Sequence, residues 1–137
     1  MKDIKFDEVQ NLLDNGKAPE EIFDWVDDEE EGGFRRVCLN NKHNYLDENN
    51  KLLSETWFDN VGDFWGGFGR VGLDRKWNFI KPNGEFLSDT WFDWCEHFEN
   101  GLGLIKLNGK WNKIKPDGTF LSEEWFDVYY VLKMHWI

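Results

Sequence analysis

A tryptophan recurs every 34 residues, each time opening the same tripeptide: Trp57-Phe58-Asp59, Trp91-Phe92-Asp93 and Trp125-Phe126-Asp127. The same shift aligns Leu53-Ser54, Leu87-Ser88 and Leu121-Ser122, and then Gly33-Phe34, Gly67-Phe68 and Gly101-Leu102. Without a gap, residues 67–100 and 101–134 agree at 16 of 34 positions, and residues 33–66 and 67–100 agree at 15, so the chain is three tandem copies of one unit. A unit of this size cannot bury its apolar face alone. The fold must be one in which copies pack on copies.

A period of 34 also suits helical hairpin repeats, so the contents of the unit decide. In the third copy, Gly101–Leu107 is followed by Asn108-Gly109, then Lys110–Lys115, then Pro116-Asp117-Gly118. Asn-Gly is the strongest short hairpin signal, because a type I′ turn needs positive φ at both central residues. Pro-Asp-Gly, like Pro82-Asn83-Gly84 in the second copy, fixes the entry to a turn with proline and releases it through glycine. Two tight turns in 34 residues leave no room for two helices. The unit reads as three short antiparallel strands plus a Trp-Phe-Asp segment leading to the next copy. The first copy has Asn40-Asn41 and Glu48-Asn49-Asn50 at its turns, and Asn is the next-best residue at positive φ.

At the N-terminal end, Phe6, Val9, Leu12 and Leu13 have helical spacing and Asn15-Gly16 is a stop signal, which predicts an amphipathic helix over residues 5–15. Its apolar stripe is expected to cap the first copy. Ile22-Phe23-Asp24-Trp25-Val26 echoes Trp91-Phe92-Asp93-Trp94-Cys95, so residues 22–32 read as a half-repeat, with helix through Pro19-Glu20-Glu21 as the open alternative. The fold class is therefore mainly β: an open array of three tandem 34-residue antiparallel β-repeats with a short N-terminal helical cap. Residues 1–32 form the acidic helix and half-repeat cap. Residues 33–137 hold the repeats (33–66, 67–100 and 101–134) and an apolar tail, Tyr129-Tyr130-Val131-Leu132 with Trp136-Ile137, expected to pack on the last copy or complete a sheet edge.

Gly67-Phe68-Gly69-Arg70-Val71, Lys76-Trp77-Asn78-Phe79-Ile80, Asn83-Gly84 and Trp91-Phe92-Asp93 resemble the bacterial WG-repeat family, also called KWG repeats. The closest copy to the family pattern is Gly101-Leu102-Gly103-Leu104-Ile105 with Asn108-Gly109-Lys110-Trp111, and the resemblance spans about residues 22–134. It departs at the glycine that follows tryptophan in the family, which is Asn78 and Asn112 here, with His43-Asn44 in the first copy. Such a glycine serves either positive φ, which Asn can supply, or close backbone approach, which would mark a divergent subgroup. The resemblance implies all-β modules of bacterial or phage origin, with no reaction and no settled ligand.

Two tryptophan columns are candidate interaction surfaces. Trp57, Trp91 and Trp125 with Asp59, Asp93 and Asp127 could form an exposed ladder that stacks on sugar rings or grips a peptide. The competing reading, which we prefer, is copy-to-copy packing of the tryptophans with each Asp capping a turn or backbone. The second column is His43, Trp77 and Trp111. It is followed two residues on by Tyr45, Phe79 and Lys113, and a Lys or His suggests a partly solvated face because an unpaired buried charge is costly. Leu46, Ile80 and Ile114 are aliphatic in every copy and read as core.

Chemistry is harder to find. His43, His97 and His135 occupy unrelated repeat positions, Cys38 and Cys95 lack CxxC spacing, and there is no phosphate loop, HExxH or catalytic carboxylate pair, so no metal, cofactor or catalytic residue is assigned. Cys95 and His97 could share a strand face, but a nucleophile also needs an orienting third group. Both cysteines read as reduced and packed. The run Asp27-Asp28-Glu29-Glu30-Glu31-Gly32 has Cys38 where a calcium loop needs a bidentate acid, so it reads as a solvated acidic patch.

The formal charge of −11 is unevenly placed: residues 1–33 carry 12 acids and 3 lysines, whereas residues 34–137 carry 15 acids and 13 bases. This sign disfavours nucleic acid and anionic membranes. The N-terminus lacks a secretory apolar stretch, no segment is apolar enough to span a membrane, and cytoplasmic location is the expectation. The reading is a non-enzymatic protein-interaction module with a basic protein partner steered by Asp27, Asp28, Glu29, Glu30 and Glu31. Self-association through strand edges accompanies it. Alternatives from other classes are a carbohydrate-binding module using the tryptophan ladder and an enzyme using Cys95 and His97.

Overall fold

A computed structural model describes residues 4–127; the apolar tail from Tyr129 to Ile137 lies outside them. Helix α1 (Phe6–Asp14) buries Val9 and Leu13 on one face, and Asp7 and Glu8 sit in its first turn, where the helix dipole favours acids. It ends as Asn15-Gly16 predicts: Gly16 has φ 89 and the Lys17 N–H closes on the Leu12 carbonyl at 3.0 Å. A single turn, α2 (Pro19–Ile22), begins on proline, which suits a first helical position. The helical turn ends at Ile22 and the chain continues extended through Trp25-Val26.

Among the described residues nine strands follow in three antiparallel sheets of three: β1 (Trp25–Val26), β2 (Phe34–Leu39) and β3 (Lys42–Asp47); β4 (Asn60–Val61), β5 (Gly69–Leu73) and β6 (Lys76–Ile80); β7 (Trp94–Glu99), β8 (Leu102–Leu107) and β9 (Lys110–Ile114). The second and third strands of each sheet meet at a two-residue turn with positive φ at both residues: Asn40-Asn41, Asp74-Arg75 and Asn108-Gly109. These turns match the right-handed twist of the strands they join.

One detail differs from the sequence reading. The strand that completes each two-stranded hairpin is not the Leu-Ser segment, which makes only isolated bridges such as Leu46 with Leu52 and Ile80 with Phe86. It is instead the stretch just after Phe-Asp, so each sheet straddles the boundary between two copies. The Leu-Ser segment is held by side chains. Buried Asn44, Asn78 and Asn112 donate through Nδ2 to the carbonyls of Ser54, Ser88 and Ser122 at 2.8, 2.8 and 2.9 Å. The hydroxyls of Ser54, Ser88 and Ser122 then accept the N–H of Thr56, Thr90 and Glu124, turning the chain into Trp-Phe-Asp. This explains the departure from the family glycine. None of these Asn residues has positive φ; each satisfies buried polar groups that a glycine would leave to others.

The cores lie between successive elements. Val37, Leu46 and Leu52 face α1 with Val9, Leu13 and Phe23. Tyr45 and Phe58 from the first sheet meet Phe64, Val71 and Ile80 from the second. Phe79 and Phe92 from the second meet Cys95, Phe98, Ile105 and Ile114 from the third. Alternation along a strand produces this, since Leu46, Ile80 and Ile114 point back to the preceding element and Tyr45 and Phe79 point on to the next. Tyr45 and Phe79 are therefore fully buried, not solvated as Lys113 in their column suggested. Lys113 lies on the third sheet, beyond which no described sheet packs.

Helix α1 takes the place of a sheet before the first one. Gln10 accepts the Leu52 N–H at 2.8 Å and donates to the Asn50 carbonyl at 3.1 Å. In later copies the residue matching Asn50 is Gly84 or Gly118, where a Cβ would sit 2.6 Å from the carbonyl of Leu53 or Leu87 in the preceding copy. A side chain fits there only where a helix, not a strand backbone, is the neighbour.

Candidate functional site

The Trp57, Trp91 and Trp125 column is half-buried packing. Trp57 meets Phe23 at 6.4 Å between ring centroids, and Trp91 and Trp125 each meet the phenylalanine five residues back, Phe86 and Phe120, edge-on at 5.1 Å. The intervening Phe58 and Phe92 are fully buried and pair backbone to backbone with His43 and Trp77 of the sheet behind.

Asp59 and Asp93 of the tripeptide work in two directions. Asp24, Asp59 and Asp93 accept the N–H of the turn residue in the sheet ahead, Asn40, Asp74 and Asn108, at 2.8, 2.9 and 2.7 Å. Asp59 and Asp93 also bind a lysine of the sheet behind, Lys42 and Lys76, the latter at 2.5 Å, and Asp127 lies 3.8 Å from Lys110. The lysine hydrogen bonds hold the carboxyls of Asp59 and Asp93 below the usual carboxylate range, helped by the turn N–H. Asp59 and Asp93 are thus clasps between sheets, with their oxygens already engaged.

The second column carries cations on its rings. The Arg70 guanidinium lies between Trp77 and Trp94, 5.5 and 5.3 Å from their centroids, and donates to the Cys95 carbonyl at 2.8 Å. Lys106 sits 5.2 Å over Trp111, and Arg36 sits 6.0 Å from Trp25, whose ring also meets His43. Such contacts contribute on the order of 0.5–1 kcal/mol each when exposed. Trp77 and Trp111 keep only part of their surface open.

Cys38 and Cys95 are free and buried. The Cys95 thiol contacts the Asn78 carbonyl at 3.7 Å, and burial pushes its pKa up to about 12, which removes the thiolate a nucleophile needs. His97 does not orient it; its ring meets Trp65, and burial followed by the charge of Arg70 lowers its pKa. Among the described residues no group of three or more His, Cys, Asp or Glu is arranged to hold a metal ion, and no helix is long and apolar enough to cross a membrane.

What stays open lies along one rim, formed by the tips that join first and second strands. Asp27 is drawn out of the acidic patch: Arg36 donates to it at 2.8 and 3.3 Å and also reaches Asp63 at 3.2 Å. Asp28, Glu29, Glu30 and Glu31 remain exposed and, among the described residues, make no ion pair. The tip Glu31-Gly32-Gly33 rests on Phe64, and Phe34 stacks on that ring at 4.3 Å. Next to Phe64 stands Trp65, 57% exposed, on the neighbouring tip. That tip rests in turn on Phe98, with exposed Glu96 and Glu99 on the same strand. Trp65 was not a sequence candidate because it matches no column: its counterparts are Glu31 and Glu99. That mismatch was the available signal.

Comparison with known proteins gives little beyond the repeat. Residues 79–111 match a family described as the WG containing repeat. No curated protein matches the chain. A solved structure titled "KlHsv2 with loop 6CD replaced by a Gly-Ser linker" is similar at 14% identity and a TM-score of 0.44, covering 64% of this chain and 33% of that one. This chain spans about a third of that structure's length.

Proposed function

Starting from a chain that carries a WG repeat, we propose that it is a cytoplasmic, non-enzymatic interaction module whose acidic rim docks a basic protein partner. The observation that supports this is the contrast in how charge is used. The carboxylates of Asp59 and Asp93 are engaged between sheets, whereas Asp28, Glu29, Glu30 and Glu31 face solvent and pair with no cation among the described residues. Carboxylates grouped on one edge attract a cationic partner and speed its encounter. The carbohydrate reading has less support, because Trp57, Trp91 and Trp125 have phenylalanines against them and do not form an open platform. The raised thiol pKa of Cys95 likewise speaks for a module without nucleophilic chemistry.

The test is binding of a labelled deca-lysine peptide at low and high ionic strength. Wild-type protein should bind, with affinity falling as salt rises. A variant with Asp28, Glu29, Glu30 and Glu31 all changed to Ser should lose most of that affinity while melting at the same temperature. Equal binding by the two proteins would end the docking reading.

A further inference from the structure

Four tryptophans already hold a cation from their own chain: Trp25 with Arg36, Trp77 and Trp94 with Arg70, and Trp111 with Lys106, at 5.2–6.0 Å. Trp65 is more exposed than any of them, and among the described residues no Lys or Arg lies over its ring. An exposed indole face attracts a cation through its quadrupole, and Trp does so better than the other aromatics.

The backbone that carries Trp65 is also held in place. The Trp65 backbone N–H donates to the Phe68 carbonyl at 2.9 Å and the Phe68 N–H donates to the Trp65 carbonyl at 3.3 Å, closing the tip around Gly66-Gly67. Gly66 has φ 63, and a Cβ there would lie 2.8 Å from the Cβ of Phe98 and 2.9 Å from its carbonyl oxygen, so the tip is seated on the third sheet. The ring of His97 packs 6.4 Å from Trp65. Burial first and then Arg70 lower its pKa, which disfavours its cationic form. Carboxylates stand on both neighbouring elements, with Asp28 to Glu31 on the first-sheet side and Glu96 and Glu99 on β7.

We propose that Trp65 is the anchor of the acidic rim, taking an arginine side chain from a basic segment of the partner, with its guanidinium on the indole and the flanking carboxylates supplying the attraction. This rests on the docking reading above and adds the residue and the side chain it recognises. Arginine fits better than lysine because its planar guanidinium stacks on an indole face and is more weakly hydrated than an ammonium. A second copy of the chain fits worse, since two molecules of charge −11 repel.

Deca-arginine and deca-lysine peptides, titrated against wild type, Trp65→Ala and Trp65→Phe, test the anchor, with sedimentation of each protein alongside. Trp65→Ala changes no charge, and it should weaken deca-arginine binding roughly two- to five-fold, the loss of one exposed cation–π contact. Trp65→Phe should recover part of the affinity, and deca-lysine should respond less. Unchanged deca-arginine affinity in Trp65→Ala, with the serine variant still impaired, would remove the anchor and leave the docking reading standing. Failure of wild type to bind either peptide would remove both. A change in sedimentation without a change in peptide binding would assign Trp65 to self-association and overturn the proposal.

Discussion

The seams between sheets and the rim of strand tips are built from the same residue types, tryptophan and acid, yet the two regions use them in opposite ways. In the seams the residues recur every 34 positions and are engaged: Trp91 with Phe86 of its own copy, Asp93 with Lys76 of the sheet behind and the Asn108 N–H of the sheet ahead. On the rim the column reads Glu31, Trp65, Glu99, and all three are exposed. Periodic positions answer to packing, because every copy meets a similar neighbour. A position free of that constraint can differ from copy to copy, and there a partner can be recognised.

Breaking a seam should have the largest effect. Phe92→Ala empties a fully buried site between the second and third sheets, and urea unfolding should show a loss of about 3–5 kcal/mol. A smaller loss would mean that the seam repacks around the gap. Next come the two glycines that follow Trp65. Gly66→Ala should cost about 1–3 kcal/mol through the clash with Phe98, on top of its backbone strain. Gly67, at φ 93 with nothing near a Cβ, should cost about 1–2 kcal/mol through strain alone. Equal losses at the two sites would show that the tip is not seated on the third sheet. Asn78→Ala leaves the Ser88 carbonyl and Phe79 N–H without the partner they now have, and should cost about 1–3 kcal/mol in the same assay.

The clasps should respond to acid. Because hydrogen bonds from Lys42 and Lys76 lower the folded-state pKa of Asp59 and Asp93, their stabilisation is present above the unfolded value of 3.8 and disappears as pH falls through the lower folded value. Melting temperature should therefore drop in that acid window, and Asp93→Asn should flatten part of the drop. An identical pH profile for the variant would show that the clasp contributes nothing measurable. Smallest of all should be the rim: changing Asp28, Glu29, Glu30 and Glu31 to Ser should shift stability by about 0.5 kcal/mol or less. A larger shift by calorimetry would place these acids in the folding unit instead of on a free surface.

The contrast also shows which parts of the fold were readable in the chain. Asn108-Gly109 and Pro82-Asn83-Gly84 announced hairpins, because few residues tolerate the backbone angles such turns require. The helix at Phe6–Asp14 followed from the spacing of Phe6, Val9 and Leu13. The origin of the first strand of each sheet did not follow, since two-residue strands such as Asn60–Val61 have no periodicity to detect and exist only through pairing with the next hairpin. Lys113 misled because a column is shared by copies whose neighbours differ. Asp27 counted as part of a free patch until Arg36, nine residues away, proved to bind it.

The sequence by itself determined the repeat, the β class, the helical cap and the concentration of acid near the N-terminus, all of which rest on local chemistry and period. Only the tertiary structure decided which tryptophans are covered, which carboxylates are clasped and which remain available. Those outcomes depend on what one sheet brings against the next. Trp25, Trp77, Trp94 and Trp111 meet a cation there, and Trp65, at a tip where its counterparts are glutamates, meets none among the described residues.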